Sequence, residues 1–169
     1  MEIRSYLSMI VCPENANNWS IADNFERNVR SVLPAELEVA APPPLPERNY
    51  NCFVYALGLE TNADFIGVTN WEYARNLGAL FLRLLQSDAE RLGSPVPGCL
   101  CVYVADDGSL AHVGLVQDDG SVVSKWSLGP LIRHETWQVP SHYGNDVRFF
   151  SLGASFLQKV IKDRNGWAG

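Results

Sequence analysis

The chemistry in this chain centres on a cysteine in Arg48-Asn49-Tyr50-Asn51-Cys52-Phe53-Val54-Tyr55-Ala56-Leu57-Gly58. Asn51 is a good helix N-cap, and Gly58 can end the short helix that follows. A thiol at such a start meets unpaired backbone N–H groups and the positive end of a helix dipole. Both favour the thiolate, which is the attacking form of cysteine. Further along, His112 lies in Leu110-Ala111-His112-Val113-Gly114-Leu115-Val116, which reads as a strand. A cysteine opening a helix and a histidine on a later strand suggest a nucleophile and its base.

A base also needs a group that orients it. If the turn Asp118-Asp119-Gly120 pairs Gln117 with Ser121, then Gly114 opposes Ser124 and His112 opposes Trp126. Antiparallel partners share a sheet face, as do residues two apart, so His112, Gly114, Ser124 and Trp126 fall together, with Lys125 opposite. Ser124 is then the candidate orienter, weaker than a carboxylate at stabilising an imidazolium. The backbone N–H of Cys52 is one oxyanion donor, and Tyr50 or Asn49 a source of a second. Gly114 and Ala111 would leave room for a substrate chain. Trp126 reads more readily as core than as a substrate platform. Cys99 and Cys101 share a strand face but make an incomplete metal site, so no metal or other cofactor is expected. His134 and His142 fall in a turn-rich stretch, with His134 the reserve candidate for the base.

The elements that must position these groups follow from periodicity. Ser20 opens an amphipathic stretch with Ile21, Phe25, Val29 and Val32 at helical spacing and Asp23 in its first turn, closed by Pro34. Pro42-Pro43-Pro44-Leu45-Pro46 is a stiff connector. Residues 1–46 therefore read as an arm and connector packed on a main domain over 47–169. A capping box of Thr69 and Glu72 starts a long helix, with Ala74, Leu77, Phe81, Leu84 and Leu85 on one face, ended near Gly93 and Pro95. Strands follow at 99–105, 110–117, 121–127 and 146–152, and a terminal helix at 155–162. Helices first and an antiparallel meander afterwards describe an α+β domain.

Composition narrows the functional classes. The chain has 169 residues, 47% of them apolar, enough for a substantial core, and a net charge of −6. No basic cluster marks a nucleic-acid surface, and the apolar runs are too short to span a membrane. The stretch Tyr6–Val11 is too short for a signal peptide core, so the expected compartment is the cytoplasm, with a specialised secretion route left open. Four cysteines in a chain of this length suggest reduced thiols.

The N-C-x-x-Y-A pattern at Asn51–Ala56, Gly98-Cys99-Leu100 before a strand, and His112-Val113-Gly114-Leu115-Val116 running into Asp119-Gly120 resemble the NlpC/P60 and CHAP branch of papain-like cysteine peptidases. That resemblance covers residues 48 to 127 and places the third site residue at Ser124. It departs from the branch at Gly98-Cys99, where G-D is usual, and at Ser124, where His, Asn or Gln is common. Asn51-Cys52, Tyr55-Ala56-Leu57-Gly58, Asp119-Gly120, Ser124-Lys125-Trp126, His134 and Tyr143-Gly144 are also similar to an uncharacterised bacterial domain family, which groups Ser124, Lys125 and His134 as one unit. The papain-like resemblance implies a thiol hydrolase cleaving an amide bond in a peptide or cell-wall peptide cross-link. Cys52 would be the nucleophile, His112 the base and Ser124 its orienter, with Tyr50, Asn51 and Trp126 near the oxyanion and substrate. Acyl transfer by the same pair, or a non-catalytic binding or immunity-type module, are the alternatives.

Overall fold

The computed structural model describes residues 2–66 and 71–163. Their centre is a seven-stranded, wholly antiparallel sheet. In chain order its strands are β1 (Glu38–Ala41), β2 (Ala89–Leu92), β3 (Leu100–Val104), β4 (Leu110–Val116), β5 (Val122–Lys125), β6 (Leu131–His134) and β7 (Asp146–Leu152). Across the sheet they run β1-β6-β5-β4-β3-β7-β2. Every residue of β3 is buried, which requires cover on both faces.

Alternation along β3 divides the core in two. Leu100, Val102 and Val104 join Val113 of β4 under α4 (Cys52–Ala56), α5 (Trp71–Asp88) and α6 (Ala154–Asp163). Phe53, Phe81, Leu85 and Phe156 fill that layer. Cys101 and Tyr103 point the other way, into a second core with Val122, Trp126, Ile132 and Tyr143. That core is closed by α1 (Ile3–Ile10), α2 (Ala16–Ser20) and α3 (Ala22–Asn28) through Leu7, Trp19 and Phe25. The first 41 residues thus supply an edge strand and one wall of the core.

Several elements differ from the sequence expectations. Ser20 ends α2 instead of opening a helix; α3 begins at Ala22, and Phe25 and Val29 are buried while Ile21 and Val32 are exposed. The long helix stops at Asp88, and Ala89–Leu92 pairs with β7 before Gly93 is reached. β6 lies where a turn-rich stretch was expected, and α1 and β1 were not foreseen. The expected capping box at Thr69 and Glu72, with Ala74 and Leu77, lies outside the described residues and side chains. Among the described residues, no helix is long and apolar enough to cross a membrane.

Candidate functional site

Asn51 caps α4 as its sequence suggested, its side chain accepting from Val54 N–H at 3.1 Å. Gly58, at φ +66°, ends the helix in the left-handed conformation that glycine tolerates. Five residues of helix therefore present a partly buried Cys52 to β4 and β5. The expected acidification of the thiol does not follow. Burial pushes Cys52 up to about 11, outweighing the backbone of Val113, Cys52 and Phe53 and the nearby Lys125 charge. A short helix start supplies a few N–H groups, whereas loss of water penalises the whole charge.

The hairpin register is the one expected: Gly114 opposes Ser124, Leu115 opposes Val123 and Val116 opposes Val122. The ladder ends at Gly114 and Ser124, so the expected opposition of His112 and Trp126 is not part of it. Val113 belongs to the core beneath α4, so alternation carries His112 to the other face. There its ring stacks on Tyr143, with centroids 4.0 Å apart, and lies near Tyr103. His112 Nε2 and the Tyr143 hydroxyl are both buried without a hydrogen-bond partner. Burial, then His134 and His142, hold the His112 imidazole well below its usual value. The structure thus forms no hydrogen bond from His112 Nε2 to Cys52.

Ser124 is likewise engaged elsewhere, with His134. His134 Nδ1 lies 2.8 Å from the Glu135 carbonyl, which only accepts, so Nδ1 carries the proton. Burial holds His134 down at about 4, so the ring is neutral and Nε2 accepts. Ser124 donates to that Nε2 at 2.8 Å and receives Trp126 Nε1–H at 2.9 Å. Ser124, Trp126 and His134 are buried, so this chain of bonds faces protein, not solvent. Trp126 is core, stacked on Trp19, and not a substrate platform. The space expected beside Gly114 is filled by Val122 Cγ1 and Ser124 Cβ, 2.6 and 2.9 Å from where a Cβ would stand.

That chain yields two expected outcomes. Ser124→Ala strands the Trp126 and His134 ring nitrogens, and a loss of about 3 kcal/mol follows from two orphaned buried groups. A urea midpoint within about 0.5 kcal/mol of wild type would contradict it. Acid should also unfold the protein through His134, whose folded value of about 4 lies below its usual 6.5. Its contribution is complete above about 6.5 and is lost as pH falls towards 4, roughly 3 kcal/mol in all. His134→Gln should make the stability profile shallower across that window, leaving the part that His112 contributes; an unchanged slope would assign the whole loss to other groups.

Within electrostatic range of Cys52 lies Lys125. It is fully buried, donates to the Gly129 carbonyl, and sits 5.3 Å from the Tyr50 ring centroid. Burial pulls its amine down to about 7, against a smaller opposing pull from Cys52. Tyr50 is half-buried, its phenol raised by burial and by Glu60. Asn49 is committed to structure: Nδ2 donates to Leu128 O at 2.8 Å and Oδ1 accepts Tyr50 N–H. Asn51 Nδ2 is buried and unpartnered beside the cysteine. Sequence reasoning placed Lys125 on the face opposite Ser124; its neighbour Ser124-Lys125-Trp126 in the second resemblance was the one signal for it.

All four cysteines are free, and among the described residues no three metal-binding side chains cluster. Two surface concavities, of about 520 and 230 Å³, are lined by residues of the first 41 positions, such as Arg30 and Leu33 or Tyr6 and Met9. No curated protein and no solved structure matches the chain. No papain-like or NlpC/P60 family matches it either. Residues 45–151, which carry Cys52, Lys125 and the sheet strands β2 to β6, match the family described as a domain of unknown function (DUF7689), and the chain belongs to that family.

Proposed function

We propose that this protein is a thiol-dependent acyl-transfer enzyme of papain-like type, hydrolysing an amide bond in a peptide or peptidoglycan-like substrate. The observation that carries the reading is the fully buried Lys125 amine, hydrogen-bonded to the Gly129 carbonyl and within electrostatic range of Cys52. Near neutral pH a substantial fraction of that amine is unprotonated and able to accept a proton. Cys52 is a protonated thiol at that pH, so attack requires its proton to leave as the bond forms.

In this mechanism Cys52 Sγ bonds to the substrate carbonyl carbon while its proton passes to Lys125 Nζ. The tetrahedral oxyanion draws on Cys52 N–H and Asn51 Nδ2, the latter having no partner of its own. Collapse breaks the C–N bond, and Lys125 returns the proton to the leaving amine. Water then attacks the thioester, releasing the acid and restoring the thiol; an amine in place of water gives acyl transfer. His112 takes no part in this arrangement.

The test uses a p-nitrophenyl ester of an N-acylated dipeptide as acyl donor. Wild type should form a thioester at Cys52, seen by mass spectrometry, and turn over, with both lost in Cys52→Ala. Equal release of nitrophenol by the two proteins, with no adduct on Cys52, would end the proposal. A second reading, a non-catalytic binding module, is favoured by the raised thiol pKa and by His112 being left without a partner. It requires that Cys52 remain unmodified under the same conditions.

A further inference from the structure

The turn that follows β5 holds the acceptor for the Lys125 amine, and the turn is shaped from outside the family domain. Gly129 N–H closes it on Trp126 O at 2.9 Å, and the same carbonyl accepts Trp19 Nε1–H at 2.7 Å. Trp19 is nearly fully buried and stacks on Trp126 at 6.0 Å, and its Nε1 stands 2.0 Å from where a Gly129 Cβ would be. Asn49 holds the adjoining Leu128 carbonyl from the other side. Ser127 sits at φ 52°, a conformation that a non-glycine residue keeps only when its surroundings impose it. The arm also grips the loop carrying Tyr143: Arg4 donates to Asn145 Oδ1 at 2.9 Å, and Ser8 and Ser141 share a 2.8 Å hydrogen bond.

We propose that the N-terminal arm is a working part of the Cys52–Lys125 site, with Trp19 a positioning residue that holds the Gly129 carbonyl at the Lys125 amine. This rests on the reading of Lys125 as the proton acceptor. Trp19 hydrogen-bonds to the Trp126 carbonyl, and so acts through the Trp126–Gly129 turn. With the turn in place Lys125 is fully buried, and although the Gly129 carbonyl favours the ammonium, burial outweighs it and disfavours the charged form. Loosening the turn admits water to the amine and restores its preference for the proton. The groups facing that amine are Cys52 from α4, Tyr50 before it and the Gly129 carbonyl from the turn.

The chain has three lysines, Lys125, Lys159 and Lys162, so ε-carbon-labelled lysine gives an NMR spectrum in which each can be followed with pH. Trp19→Phe keeps an aromatic ring and removes the donor to Trp126 O together with part of the indole volume; Trp19→Ala removes the ring as well. Trp19→Phe should stay folded, shift the Lys125 midpoint upwards by about one unit or more, and leave Lys159 and Lys162 where they were. An unchanged Lys125 midpoint in a folded Trp19→Phe protein would overturn the proposal, whatever the effect on melting temperature. The readout is the amine and not turnover, so inertness of Cys52 would defeat the catalytic reading without deciding this one.

Discussion

Lys125→Met should equal wild type in stability near pH 7, or exceed it by up to about 2 kcal/mol, and fall below it near pH 10. The sign follows from the amine. Its folded value is about 7 against an ordinary 10.5, so between these the unfolded chain holds more protons than the folded one. Wild-type stability therefore rises with pH through that window, and towards pH 7 the native state carries the penalty of a buried ammonium. Methionine removes the penalty and fills a similar volume, at the loss of one hydrogen bond to the Gly129 carbonyl, which costs about 1–3 kcal/mol. Near pH 10 the penalty is nearly gone in wild type and only that loss remains. Cys52, raised to about 11, gives an opposing fall in alkali that is present in both proteins and largely cancels in their difference, because the Lys125 amine that acts on it is uncharged near pH 10. Urea midpoints at the two pH values check this; parallel profiles would show that Lys125 does not titrate abnormally. Under the proposed chemistry the same variant loses acyl turnover by about a hundredfold or more.

Gly129→Ala should be among the most damaging single substitutions, by about 3 kcal/mol or more. An added methyl would stand 2.0, 2.3 and 2.7 Å from Trp19 Nε1, Cδ1 and Cε2. Trp19 has no free direction in which to move: it stacks on Trp126 and meets Phe25 edge-on at 5.6 Å. The arm must lift or the turn must open, and either brings Trp19 towards water. A red-shifted tryptophan emission together with a lowered urea midpoint is the expected signature. Combining Gly129→Ala with Trp19→Ala should cost clearly less than the two single losses added together, because the methyl then enters the vacated space. Full additivity would mean the contact is not the source of the damage.

Much of the frame was legible from pattern alone, for reasons that particular residues make plain. Asn51 and Gly58 bracket α4 because capping is local, needing only a side chain three residues from its target and a glycine at positive φ. The register of Gly114 on Ser124 followed from the Asp118-Asp119-Gly120 turn, since hairpin turns set pairing over short range. β7 falls on the residues expected for it, Asp146–Leu152. By contrast β1, β2 and β6 are four residues each, too short to show a period, and unlike β5 of the same length none follows an Asp-Asp-Gly turn that announces it. β2 also borrows its strand character from β7, across 60 residues of chain.

The site divides along the same line. Residue types, the helix cap and the face shared by His112, Gly114, Ser124 and Trp126 are consequences of local geometry, and the sequence alone determined them, together with the α+β class. Which groups meet was decided only by tertiary packing: His112 turned to Tyr143, Ser124 bound to His134, and Lys125 stripped of water beside Cys52. Desolvation is a property of what surrounds a charge from every direction. Here the surroundings come from an arm, a helix and a turn far apart in the chain, so no local pattern of residues could announce the thiol's raised pKa or the lysine's lowered one.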